Sequence, residues 1–231
     1  MHIRSVTLDL DGTLLDTLPD LTAAANGMLR ELGRAEYPPQ VIATFVGRGI
    51  DNLVECCLPD ISGAPLTAAK HLFRKHYARE NGRQATLFPG VREGLELFRA
   101  AGLPLAVITN KAAAFTEPLL AASGLAPYFR FAISGDSVAH KKPHPLPLIE
   151  ACKRLGVAPG ENLHIGDSSH DAVAARAAGC PVWLVPYGYN AGRSVQQGMQ
   201  DGGCDAIVTS LDEAARRVID AALAAPPAPT F

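Results

Sequence analysis

Apolar residues along this chain follow two alternating rhythms. Short unbroken apolar runs at residues 3–8, 105–108, 131–133, 163–165, 182–185 and 206–208 read as buried strands. Between them, residues 91–101, 111–123, 146–155, 169–178 and 211–224 carry alanine and leucine at helical spacing, with charges interleaved. Gly102, Gly124, Gly156 and Gly179 follow four of these segments, where a helix commonly ends on a left-handed residue. Strands alternating with helices predict right-handed crossovers, and hence an α/β fold: a Rossmann-like parallel sheet core with helices on both faces.

The alternation lapses once. Residues 18–32, 39–45, 50–58 and 67–80 have helical patterns with no convincing strand among them, and are separated by "YPP", "GRG" and "PDISGAP". A small α-helical cap domain, residues 16–87, is therefore expected as an insert in a discontinuous core formed by 1–15 and 88–231, with crossings near 14–16 and 86–89. The proline-rich end "AAPPAPTF" reads as a loose tail.

Composition narrows the possibilities. A 48% hydrophobic and 19% charged chain of 231 residues can pack a sizeable core. A formal net charge of -2 gives no global attraction to nucleic acid or to an anionic membrane. No apolar run reaches the length of a membrane span, and "MHIRSV" lacks the pattern of a signal peptide. The five cysteines are odd in number and form no C-x-x-C pair, so reduced thiols in a cytoplasmic protein are expected.

In open parallel sheets, ligands bind beyond the carboxyl ends of the strands. There the sequence sets Asp9 and Asp11 after the first strand and Thr109 and Asn110 after the second. Lys141 and Lys142 follow in the loop after the third, and Asp167 and Asp171 after the fourth. Three carboxylate stations, a hydroxyl, an amide and a lysine on one rim suit a hard cation together with a phosphate dianion, and oxygen ligands favour Mg2+. Asp9, ionised at neutral pH, needs no base to attack phosphorus. Asp11 is placed to give a proton to the leaving oxygen and take one from water. Taken one at a time, each of these has a plainer reading: Asp9-Asp11-Gly12 as a turn, Thr109-Asn110 or Asp167 as a helix cap, Lys142 as a solvated charge.

The stretches "DLDGTLLDT", "ITN", "KKPHP" and "GDSSHD", in this order at strand ends, resemble the four motifs of the haloacid dehalogenase superfamily of phosphohydrolases. The helical insert resembles that superfamily's first class of cap. "FVGRGIDNLVE", "LFPGVREGLELF" and "ITNKAAAFTEPLL" are most similar to its branch acting on phosphoglycolate. The resemblance implies that Asp9 is the nucleophile and a Mg2+ ligand, that Asp11 is the acid/base and lends its backbone carbonyl to the metal, and that Asp167 is a further ligand. It implies that Thr109, Asn110 and Lys142 hold the phosphoryl group, that Asp171 supports the site from behind, and that Arg48 in "VGRG" meets the substrate from the cap. Leu8, Thr17 and His170 depart mildly from the usual residues of these motifs.

The expected partner is a small-molecule phosphate ester, bound by a monomer or homodimer that engages neither nucleic acid nor membrane. Sugar or amino-sugar phosphate phosphatases and hexose-phosphate mutases of the same superfamily share these residues. A dehalogenase has no use for Asp11. A receiver-type signalling module also gathers acids, a threonine and a lysine around Mg2+, but at about half this length and without a cap.

Overall fold

The computed structural model describes residues 2–190 and 203–224; residues 225–231, read above as a tail, lie outside them. Six parallel strands form the main sheet in the order β5-β4-β1-β6-β7-β8, with β1 Ser5–Leu8, β4 Leu105–Ile108, β5 Phe131–Ile133, β6 Asn162–Gly166, β7 Val182–Leu184 and β8 Ala206–Ile207. The chain builds outward from β1 through β4 to β5, then returns to β1's other side for β6 and onward. The reversal leaves a crevice at the carboxyl ends of the central strands, where ligands of such sheets bind. Leu8 pairs with Val107 on one side and Ile165 on the other, so the residues just beyond β1, β4 and β6 end at one level.

Alternation along the strands divides the core. Val6, Leu8, Val107, Leu163 and Ile165 pack against α5 Val91–Ala100, α6 Ala113–Ala122 and a C-terminal helix, α9 Leu211–Leu223. Ile108, Ile133, Val182 and Leu184 pack on the other face with α7 Leu146–Leu155 and α8 Ser169–Ala178. Burying such side chains contributes about 1.5–3 kcal/mol each. On that second face the strands also bury polar groups, and these are paired. Ser5 Oγ donates to Asn162 Oδ1 at 2.8 Å, Asn162 Nδ2 donates to Thr7 Oγ1 at 3.0 Å, and Thr7 Oγ1 lies 3.0 Å from His164 Nδ1. An unpaired polar group there would cost more than the bond returns.

Four helices lie between β1 and α5: α1 Leu18–Glu31, α2 Pro39–Ala43, α3 Ile50–Cys57 and α4 Gly63–Glu80. They share an apolar cluster of their own, including Leu21, Met28, Leu29, Ile42, Leu53, Phe73 and Tyr77. Two-residue strands β2 Leu15–Asp16 and β3 Thr86–Leu87 pair antiparallel where the chain leaves and re-enters the core. Their pairing is not visible in the sequence, since two residues are too few to show a period. A buried carboxylate clasps the same region: Asp20 in α1 accepts from Gly82 N and Gln84 N, both at 2.8 Å.

Two helix starts differ from expectation. α4 begins at Gly63 rather than at residue 67. Pro65 falls in its first turn, where a missing N–H breaks no helical bond, so "GAP" opens a helix although it looks like a turn. α6 begins at Ala113, because Ala112 is extended (φ -66°, ψ 147°) and keeps Lys111 out of the helix.

Candidate active site

The loop after β1 turns sharply at Gly12, whose φ of +86° suits glycine. A Cβ there would meet Asp167 Oδ2, so only a bare backbone lets the two loops approach. Asp9 and Asp11 are thereby held beside the loop after β6, and Asp9, Asp167 and Asp171 bring carboxylate oxygens within 4.8 Å of one another.

These three acids have different surroundings. Asp171 is fully buried, and its oxygens are committed. Oδ1 accepts from Lys142 Nζ at 2.6 Å and lies 3.0 Å from His164 Nε2, and Oδ2 accepts from Ser168 N at 3.1 Å and Ser168 Oγ at 2.6 Å. Burial opposes its charge, but Lys142 and His164 hold the carboxyl well below the usual range. Burial depresses His164, whose Nε2 faces Asp171 and whose Nδ1 faces the Thr7 hydroxyl. Asp171 thus ends the polar chain that runs through the sheet from Ser5.

Lys142 is itself buried; its Nζ donates to Ile108 O at 2.6 Å and Asp171 Oδ1 at 2.6 Å and lies 3.0 Å from Asp9 Oδ1. Burial disfavours the ammonium, and the two carboxylates outweigh it, holding it up at about 12. The third contact is an ion pair without hydrogen-bond geometry, and Asp9 Oδ1 stays buried with no hydrogen-bond donor.

Asp167 Oδ2 accepts from Tyr189 N at 2.7 Å and Asn190 N at 3.3 Å, while Oδ1 has a long contact of 3.4 Å from Thr13 Oγ1. Burial raises Asp9 to about 8 against the pull of Lys142, with Asp171 and Asp167 adding repulsion. Burial and then Asp171 raise Asp167 to about 7. Two adjacent carboxylates held short of easy ionisation, one with an orphaned oxygen, are under-neutralised. The donor set fits a hard divalent cation taken by Asp9 and Asp167. Asp171, with its lone pairs spent, is fitted to hold Lys142 instead.

Asp11 points the other way. Its Oδ1 accepts from Thr17 Oγ1 at 2.7 Å, and Lys111 Nζ reaches Oδ1 at 2.9 Å and Oδ2 at 3.2 Å. Lys111 also donates to the Tyr77 hydroxyl of α4. Lys111 stands within "ITNKAAAFTEPLL", where it reads as the first residue of a helix and not as a site residue. No sequence pattern assigns Tyr77 or Tyr189 to the site, and their roles are visible only in three dimensions. The Tyr189 hydroxyl accepts from Thr17 N at 2.7 Å and Leu18 N at 3.0 Å and donates to Asp16 Oδ1 at 2.7 Å, pinning the start of α1 to the loop that holds Asp167.

Thr109 and Asn110 also stand on this rim. The Thr109 hydroxyl accepts from Lys111 N at 3.2 Å. The Asn110 amide is tied to the backbone of Lys142, with Nδ2 to O at 2.9 Å and N to Oδ1 at 3.0 Å. It also donates to Gly47 O among the helices at 2.8 Å, a strut between the two layers. The layers flank a partly open chamber of about 40 Å3, roofed by Leu21, Val46, Gly47, Gly49, Ile50 and Leu53 and floored by Asp9, Asp11, Thr109 and Asp167. Arg48 is not brought into it. Its Nε donates to His170 Nε2 at 3.2 Å, beside a neighbouring cavity of about 300 Å3.

The chain is similar in sequence and fold to known proteins. A sequence profile of haloacid dehalogenase-like hydrolases matches residues 6–185. The chain is 50% identical to the phosphoglycolate phosphatase of Nitrosospira multiformis, with 94% of this chain and 96% of that one covered. It is 48% identical to the phosphoglycolate phosphatase of Thiobacillus denitrificans, covering 96% and 98%. A crystal structure of a predicted phosphoglycolate phosphatase from Haemophilus somnus superposes with a TM-score of 0.88 at 30% identity, covering 94% of this chain and 98% of that one. With the parallel sheet, the paired acids beyond β1 and a profile spanning three quarters of its length, the chain belongs to the haloacid dehalogenase-like hydrolase family.

Proposed function

We propose that the protein is a Mg2+-dependent phosphomonoesterase that carries the phosphoryl group on Asp9 and whose substrate is 2-phosphoglycolate. The observation that carries the chemistry is the division of labour between two acids two residues apart. Asp9 faces Lys142 and Asp167, and Asp11 faces away toward Thr17 and Lys111. The names of the relatives, together with the small apolar roof, support a short ester over a hexose phosphate.

In this reading Asp9 attacks phosphorus through a carboxylate oxygen, the ester P–O bond breaks, and the leaving oxygen takes a proton from the Asp11 carboxyl. Water then attacks the phosphoaspartate, gives its proton to Asp11 and releases inorganic phosphate, restoring Asp9. Lys142, with Thr109 and the backbone at Asn110, neutralises and orients the equatorial phosphate oxygens. Asp9, Asp167 and the Asp11 carbonyl would hold Mg2+, which when bound would supply charge neutralisation at the phosphate. Asp171 keeps Lys142 in place. Residues 16–87 act as a cap over a core of 1–15 and 88–231, excluding water while Asp9 is phosphorylated. Arg48 is assigned no step.

The test is a panel of esters scored by kcat/KM with and without a chelator: 2-phosphoglycolate, hexose phosphates, amino-sugar phosphates and an aryl phosphate. Expected are full dependence on added Mg2+ and a preference for 2-phosphoglycolate. A better rate on a hexose phosphate would overturn the substrate, and undiminished turnover in chelator would overturn the metal.

A further inference from the structure

The chamber holds a charge that the hydrolysis itself does not require. Among the described residues that line it, Lys111 is the one cationic side chain, since Lys142 lies beneath the floor and Arg48 outside. Lys111 is 4% exposed, and its ammonium is tethered to two layers at once: to Asp11 in the loop after β1 and to the Tyr77 hydroxyl of α4. Its Nζ also sits 4.8 Å from the centre of the Tyr77 ring. Phosphoryl transfer to Asp9 needs the Lys142 charge and a proton donor at Asp11. A second buried cation costs desolvation that is recovered only while a partner anion touches it.

We propose that Lys111 is the specificity-determining residue of this site and pairs with the carboxylate of the substrate. The inference rests on the proposed action on 2-phosphoglycolate and names the residue that reads it. In that ester a single methylene separates the bridging oxygen from the carboxylate. When Asp11 contacts the bridging oxygen, the carboxylate falls beside whatever else touches Asp11, and Lys111 touches both of its oxygens. The apolar side chains of the roof, Leu21, Val46, Ile50 and Leu53, offer a carboxylate no donor. Substrate binding is then an exchange of anions on one cation. The glycolate carboxylate takes over Lys111, and Asp11 is freed to turn to the ester oxygen, while the buried ammonium is never left unpaired. An ester without a carboxylate cannot make this exchange and leaves Asp11 held in its resting pair. Tyr77 fixes the ammonium from the cap side, so the reader is assembled only with the helical layer in place.

The experiment compares 2-phosphoglycolate with ethyl phosphate, in which a methyl group replaces the carboxylate, in wild type and in Lys111→Met. Wild type is expected to prefer 2-phosphoglycolate by about a hundredfold or more, since a site built around a polar partner discriminates strongly against a substrate that lacks it. In Lys111→Met the kcat/KM for 2-phosphoglycolate is expected to fall by a similar factor, mostly through KM, and that for ethyl phosphate by less than about tenfold, so the preference collapses. Lys111→Gln keeps a hydrogen-bond donor beside Asp11 and removes only the charge; it must show the same selective loss and serves where the Met variant does not fold. Equal losses on both esters, carried by kcat, would overturn the inference and leave Lys111 a positioning residue for Asp11. A wild type with no preference for 2-phosphoglycolate over ethyl phosphate would instead sink the substrate reading on which the inference rests.

Discussion

The rim of the sheet and the interior of the helical layer are both buried, yet they obey different rules. On the rim, Lys142, Asp171, His164 and Thr7 each have named partners at hydrogen-bond distance, and Asp9 and Asp167 are held against their own repulsion. Inside the helical layer, Met28, Leu29, Ile42, Leu53 and Phe73 touch one another without direction. A polar network depends on the identity of every member, whereas apolar packing depends on volume and tolerates exchange. Changes in the two regions should therefore be read out by different instruments.

The sharpest break is at Asp9. Asp9→Asn removes the attacking oxyanion and keeps the shape, and kcat should fall by about ten-thousandfold or more with the circular dichroism spectrum unchanged. Activity retained in that variant would strip Asp9 of the nucleophile's role. The opposite break is Met28→Ala, expected to cost about 2–5 kcal/mol in urea denaturation while kcat stays within a few-fold on the folded protein. A loss of kcat as large as the loss of stability would show that the two regions are not separable. Between them lies Asp171→Asn, which loosens Lys142 without touching the substrate; a fall in kcat of roughly 10–100-fold is expected, as for residues that orient others. No change there would mean that Lys142 needs no support.

The smallest effect sharpens the comparison through pH. Asp9 and Asp167 are raised from 3.8 to about 8 and about 7, so above pH 3.8 the folded state binds more protons than the unfolded one. Stability of the metal-free protein then declines as pH rises through that window. His164 and His170, pushed down by burial, act in the opposite sense, but only below their ordinary 6.5. Between pH 6.5 and 8 the metal-free protein should therefore lose a few degrees of Tm, and Mg2+ should restore more at pH 8 than at pH 6.5. A Tm that rises over this interval in chelator would contradict the crowded carboxylates.

The same division explains what could be read in the chain. The six strands and the acids at their ends are legible because strand ends and chemistry both restrict residue choice. Asp9, Thr109, Lys142, Asp167 and Asp171 do meet on one rim. Lys111 was hidden because a lysine after "TN" fits a helix start as well as an active site, and only the extended Ala112 separates the two. Tyr77 and Tyr189 reach the site from α4 and from beyond β7, through contacts that no local pattern encodes. The resemblance sets Arg48 against the substrate from the cap, and no spacing shows that His170 takes it instead. β2 and β3 are too short to carry a rhythm, and the glycine and proline of "GAP" masked the start of α4.

The narrow chamber has a further consequence, one of traffic. Its roof and floor stand close together and are bridged by the Asn110–Gly47 strut. A parting of the layers that releases this strut would widen the way in for the substrate and the way out for phosphate. Where that parting is slower than the chemistry at Asp9, it sets a ceiling on the cycle. A more viscous solvent should lower the ceiling without altering the chemistry beneath it.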